Sequence, residues 1–77
     1  MIRIWLYTPS GCSEFTADAV FLPGEAGAFE VLRDHAPLIS TLLAGEIRWR
    51  SGDEEKALPI RGGVVRLSNN EMTICAE

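Results

Sequence analysis

Apolar and polar residues alternate with a period of two along most of this chain. Ile2, Ile4 and Leu6 are interleaved with Arg3, Trp5 and Tyr7, the pattern of a strand with one buried face. Thr8-Pro9-Ser10-Gly11 stops it with turn residues. Val20-Phe21-Leu22 is a short apolar run ended by Pro23-Gly24, and Glu25-Ala26-Gly27 continues the turn before Phe29-Glu30-Val31-Leu32 resumes a strand. Residues 38–43 are apolar apart from Ser40 and Thr41, and Gly45 closes them. Ile47 and Trp49 alternate with Arg48 and Arg50, and Ser51-Gly52-Asp53-Glu54-Glu55 reads as a polar hairpin loop. Ala57, Leu58 and Ile60 lead to Gly62-Gly63. Val64-Val65-Arg66-Leu67 then runs into the turn Ser68-Asn69-Asn70, and Met72, Ile74 and Ala76 alternate with Thr73 and Cys75.

Nowhere do apolar residues recur at helical spacing over the ~12 residues a helix needs. Pro9, Pro23, Pro37 and Pro59 interrupt longer segments. Residues 34–44 come closest to a helix, but Pro37, Ile39 and Thr41 favour extended chain. Strands roughly ten residues apart, punctuated by Gly, Pro and Asn, predict an all-β fold, an antiparallel sandwich or barrel.

With 77 residues there is room for one small core, so residues 1–77 are expected to form a single domain. The 47% apolar content is that of a globular chain. No apolar run approaches the ~20 residues that span a bilayer, and residues 1–15 lack a signal-peptide pattern. A soluble domain with no direct bilayer insertion is expected. Seven Lys and Arg against eleven Asp and Glu leave a net charge of -4, which argues against nucleic acid as a partner. Arg48, Arg50 and Arg61 stand singly, as on a solvated strand face. Cys12 and Cys75 lie at opposite ends of the chain with no CxxC pair. Free thiols are expected, with no metal site and no cofactor.

His35 is the only histidine and the one candidate base. A nucleophilic site would need Cys12 or Ser40 beside it and an orienting acid, nominally Asp34. Neighbours on an extended chain point to opposite faces, so Asp34 is not expected to orient the imidazole. The glycines match neither a Walker pattern nor GxGxxG, and they read as turn and close-approach positions. Asp53-Glu54-Glu55 is a loop tip with no wall to perturb a carboxylate, and Trp5 and Trp49 are candidates for core or interface. The residues by themselves describe a rigid β domain without a catalytic constellation. Two other classes stay open on residues alone: a small Cys/Ser-His hydrolase and a small-ligand β-barrel.

The stretch LPGEAGAFEVLRDHAPLISTLLAGEIRWR resembles the signature of the epsilon subunit of F-type ATP synthase, the counterpart of the mitochondrial delta subunit. That family carries an LPGexGxFeVLxxHAPLIxxLxxGxI run after an opening strand ending in TPxG. Here the opening is TPSG at residues 8–11, and IRGGVVRLSNNEMTICAE resembles the family's closing strands. The likeness covers essentially the whole chain. It implies a sandwich of two five-stranded sheets and a place in the central rotor, where the domain clamps the gamma subunit to the c-ring. It further implies a peripheral position on the cytoplasmic face of the bacterial inner membrane and a non-catalytic role in ATP synthesis. The family's gamma-facing positions match Thr8, His35, Ala36, Pro37 and Ser40, and its c-ring loop matches Gly27, Ala28, Phe29 and Glu30. Many members have an acidic residue where Ala28 stands, so Glu30 or Glu25 takes over that pairing or the contact is less electrostatic. The family's C-terminal two-helix hairpin has no counterpart before Glu77, and inhibition by that hairpin is not expected of this chain.

Overall fold

The computed structural model describes residues 1–77 and contains nine strands and no helix. They are β1 (Ile2–Thr8), β2 (Gly11–Ala17), β3 (Ala19–Gly24), β4 (Gly27–Leu32), β5 (Leu38–Leu42), β6 (Gly45–Ser51), β7 (Glu54–Ile60), β8 (Gly63–Ser68) and β9 (Glu71–Ala76). The alternation predicted from sequence is realised in the burial. Ile2, Ile4 and Leu6 of β1, Val65 and Leu67 of β8, and Met72, Ile74 and Ala76 of β9 all point inward. With Val20, Leu22, Val31, Leu42 and Ile47 they form one continuous apolar cluster.

The strands run in the order β2-β1-β9-β8-β5-β3-β6-β7, with β4 on the other edge of β3. The sheet folds over where β5 meets β3 at the single pair Gly24↔Leu42. This leaves five strands (β2, β1, β9, β8, β5) in one layer and four (β4, β3, β6, β7) in the other. The expected all-β sandwich is therefore present as a curled sheet, with nine strands where two sheets of five had been expected. One pairing departs from the antiparallel pattern: β1 and β9 run parallel, from Arg3↔Glu71 to Tyr7↔Cys75. The first and last strands meet side by side, so no tight turn constrains their direction.

Strand β2 has no apolar alternation to announce it. As an edge strand it touches the core only through Phe15 and Ala17. Its far side is tied to the β6–β7 hairpin instead. Ser51 Oγ donates to Thr16 O at 2.7 Å, Asp18 N to Arg50 O at 2.7 Å, and Gly52 N to Asp18 Oδ2 at 2.8 Å. Phe15 stacks on Trp49 with ring centroids 4.7 Å apart. The acidic loop is shorter than its sequence suggested, because Glu54 and Glu55 already belong to β7 and Arg48 Nη1 lies 3.6 Å from Glu55 Oε1.

Candidate functional site

Between β4 and β5, residues Arg33 to Pro37 form an exposed loop that presents His35. The chain is not extended there. Asp34 adopts a left-handed conformation with φ 66, and His35 N donates back to Leu32 O at 3.2 Å. His35 Nδ1 lies 2.7 Å from Ala36 O, which restrains the ring by its own backbone. Asp34 does not orient the imidazole, as expected, but the reason is this turn and not the alternation of an extended strand. Its carboxylate is occupied elsewhere: Asn70 Nδ2 donates to Asp34 Oδ1 at 2.9 Å, and Asp34 N donates to Asn70 Oδ1 at 2.7 Å. Ser40 Oγ donates to Thr41 O at 3.0 Å, and Cys12 has only a 4.0 Å contact to Ser13 O, so neither nucleophile candidate engages His35.

The strand register locates the remaining positions. Leu38 lies level with Leu67, Met72 and Ile4, while Leu42 lies level with Gly63 and Ala76, one step beyond Tyr7↔Cys75. Thr8 therefore stands at the opposite end of the five-stranded layer from His35. Four residues along β5 and three strands across separate Thr8 from Leu38, where β5 leaves the His35 loop, by roughly 20 Å, from ~3.3 Å per residue and ~4.8 Å per strand. Thr8 and Ser40 are not gathered with the His35 loop. Ser40 sits mid-strand, half-buried, with its side chain in the inward-facing row of Val65, Ile74 and Leu6.

The β3–β4 hairpin has a two-residue tip, Glu25 and Ala26, closed by Gly24↔Gly27. Because Gly24 also pairs with Leu42, this tip lies at the Thr8 end, opposite the His35 loop. Gly27, Ala28 and Glu30 are exposed, whereas Phe29 turns inward against the core. The Phe29 ring covers Gly24 closely: a Cβ there would come within 2.6 Å of Phe29 Cε1. Phe29 thus stiffens the tip by packing. Glu25 stands on the tip itself, while Glu30 lies back along β4 opposite Phe21.

On the outer face of the five-stranded layer exposed apolar side chains stand among charged ones, with Arg66 directly opposite Ile39 and Arg3, Glu14 and Glu71 on the same face. Ile39 is 74% exposed, Val64 47% and Tyr7 45%. Tyr7, Cys75 and Val64 form one cross-strand row flanked by Cys12 and Thr41. Both thiols are free and exposed. No group of three or more His, Cys, Asp or Glu side chains is arranged to hold a metal. The largest recess lies between β2 and β7 over the Phe15–Trp49 stack, and of the expected contact residues only Thr8 lines it.

The chain is thus a helix-free β-sandwich with an exposed loop at one end and a closely packed hairpin tip at the other. Residues 5–77 match the family model described as "ATP synthase, Delta/Epsilon chain, beta-sandwich domain", and the chain belongs to that family. It is 37% identical over 60 residues to the ATP synthase epsilon chain of Leptospira interrogans, covering 78% of this chain and 47% of that one. It is 41% identical over 58 residues to the epsilon chain of Cyanothece sp., covering 75% and 42%. The chain thus spans about half the length of the curated relatives it matches. The fold is also that of a chain in the Euglena gracilis mitochondrial ATP synthase, with TM-score 0.90 at 18% identity over 97% of this chain and 49% of that one. A second chain, from the central stalk and c-ring of the Tetrahymena thermophila mitochondrial enzyme, matches with TM-score 0.82 at 17% identity, covering 97% and 62%.

Proposed function

We propose that residues 1–77 act as one non-catalytic domain of the rotor of an F-type ATP synthase, joining the gamma subunit to the c-ring. In this reading the domain lies peripherally on the cytoplasmic face of the bacterial inner membrane. Rotation driven by ion flow passes through it during ATP synthesis. The observation that carries the proposal is the placement of the His35 loop and the Glu25–Ala26 tip at opposite ends of one close-packed body. A coupling element must hold two partners at a fixed separation, and close-packed interiors transmit strain with little yielding.

Gamma docks on the His35-Ala36-Pro37 loop and along the outer face through Ile39, Val64 and Tyr7. Thr8 lies in the inward-facing row of Ala76 and Leu42 and lines the recess beside β7, so it meets this interface only at the end of β1. Ser40 contributes from within by setting the edge of β5. The c-ring faces the β3–β4 tip, with Gly27 and Ala28 as its close-approach surface and Phe29 as its internal brace. Glu25, on the tip, supplies the negative charge that pairs with basic ring loops, and Glu30 stands behind it. The hydrolase alternative has little support, because His35 Nδ1 is bound to its own loop and Cys12 and Ser40 are engaged elsewhere.

The test is co-purification with the cognate gamma subunit, comparing wild type with His35→Ala and Pro37→Gly, and with the c-ring, comparing wild type with Glu25→Lys. Weakened gamma binding in the first two and weakened ring binding in the third are expected. A wild-type domain that captures neither partner would overturn the proposal.

A further inference from the structure

Nothing in the apolar core anchors the His35 loop. All five residues from Arg33 to Pro37 are exposed. The loop's hydrogen bonds to a distant part of the chain are the two made by the Asn70 carboxamide, one to the Asp34 amide at 2.7 Å and one from Nδ2 to the Asp34 carboxylate at 2.9 Å. Asn70 is itself fixed, since its carbonyl accepts from Arg3 N at 2.8 Å at the start of β1. The β8–β9 turn, β1 and the His35 loop thus meet at one residue, β1 through its backbone carbonyl and the loop through its side chain.

The backbone at Asn70 sharpens the point. Ser68 pairs with Glu71 across a two-residue turn, with φ 50 at Asn69 and φ 61 at Asn70. Positive φ at both central residues defines the hairpin turn in which glycine is the most comfortable second residue. An asparagine there tolerates the left-handed conformation and adds what glycine lacks, a carboxamide that donates and accepts at once. Asp34 answers it with one backbone donor and one carboxylate acceptor, also from a left-handed position, φ 66.

We infer that Asn70 is a positioning residue for the partner-binding loop: its bidentate bond to Asp34 holds His35-Ala36-Pro37 in the conformation that gamma recognises. This rests on the rotor reading above. A loop released from the clamp samples other conformations, and the apparent affinity falls in proportion to the fraction still competent.

Asn70→Gly is the diagnostic variant because it keeps the turn geometry and removes only the carboxamide. Its thermal unfolding is expected to stay close to wild type, while amide exchange at Asp34 speeds up and gamma binding weakens about three- to tenfold. Asn70→Asp sets two carboxylates against each other and should weaken binding at least as much. Adding Asp34→Asn to Asn70→Asp exchanges donor and acceptor between the two sites and should restore both the protection and the affinity. Unchanged exchange and unchanged gamma affinity in Asn70→Gly would overturn the inference. So would weakened binding that the exchanged pair fails to rescue while it restores protection. If wild type itself does not bind gamma, the rotor reading fails, and the exchange measurements still decide whether the clamp orders the loop.

Discussion

Ile39 offers the sharpest test of where gamma docks. Its side chain stands outward on β5, 74% exposed, between the His35 loop and the row of Val64, Cys75 and Tyr7. Fully burying an isoleucine contributes about 1.5–3 kcal/mol, and roughly three quarters of that remains to be gained when a partner covers it. Ile39→Thr keeps a β-branched residue suited to a strand and removes most of the apolar surface. The expected loss is ~1–1.5 kcal/mol of binding, a five- to twelvefold rise in Kd. Folding should change by no more than about 0.5 kcal/mol, because the position is exposed and away from caps and turns. Calorimetric titration of gamma with wild type and Ile39→Thr measures the first quantity, and urea unfolding the second. Ala57→Thr, a substitution at an exposed position on the outer face of the other layer, serves as the control and should leave Kd unchanged. An Ile39→Thr domain that binds gamma within twofold of wild type would remove this face from the interface.

Other expectations concern the frame that presents the two ends. Gly63→Ala would drive a methyl into the backbone carbonyl of Cys75, with Ala76 Cα only 3.1 Å away. A cost of about 2–4 kcal/mol is expected from a clash that only the β8–β9 ladder can relieve, seen as a Tm lower by on the order of 10–25 °C. Trp49→Ala removes the stack on Phe15 that holds β2 to β6. About 2–3 kcal/mol should be lost in urea unfolding, and protease cleavage should appear first within residues 11–17. Cys75 lies in the docking row beside Tyr7. It should react with a thiol reagent like an ordinary exposed cysteine in the free domain and about tenfold more slowly in the gamma complex. Equal rates in both states would argue against burial of that row.

How much was legible beforehand depended on the range of the physics involved. Inward positions such as Ile4, Leu6, Met72 and Ile74 could be read directly, because a pleated strand with one buried face imposes a period of two on its own residues. The turns at Pro9-Ser10 and Asn69-Asn70 were legible for the same local reason, as backbone preferences of single residues. Strand β2 was not, because an edge strand that touches the core through Phe15 and Ala17 alone needs no alternation. The expected contact residues came from the likeness to a family, and that likeness carries no geometry. Chain order therefore did not reveal that His35 and the Glu25–Ala26 tip stand at opposite ends, that Phe29 turns inward, or that Thr8 falls at the same end as the tip.

Sequence alone determined the class of fold, the faces of most strands and the segments worth watching. The tertiary structure decided the parallel meeting of β1 with β9, the closure of β5 onto β3, and the bond between Asp34 and Asn70 across 36 residues of chain. Local patterns are set by the pleat and by backbone sterics, which each residue carries with it. Pairings between distant strands are set by how the whole sheet closes over its core, and no single segment contains that information.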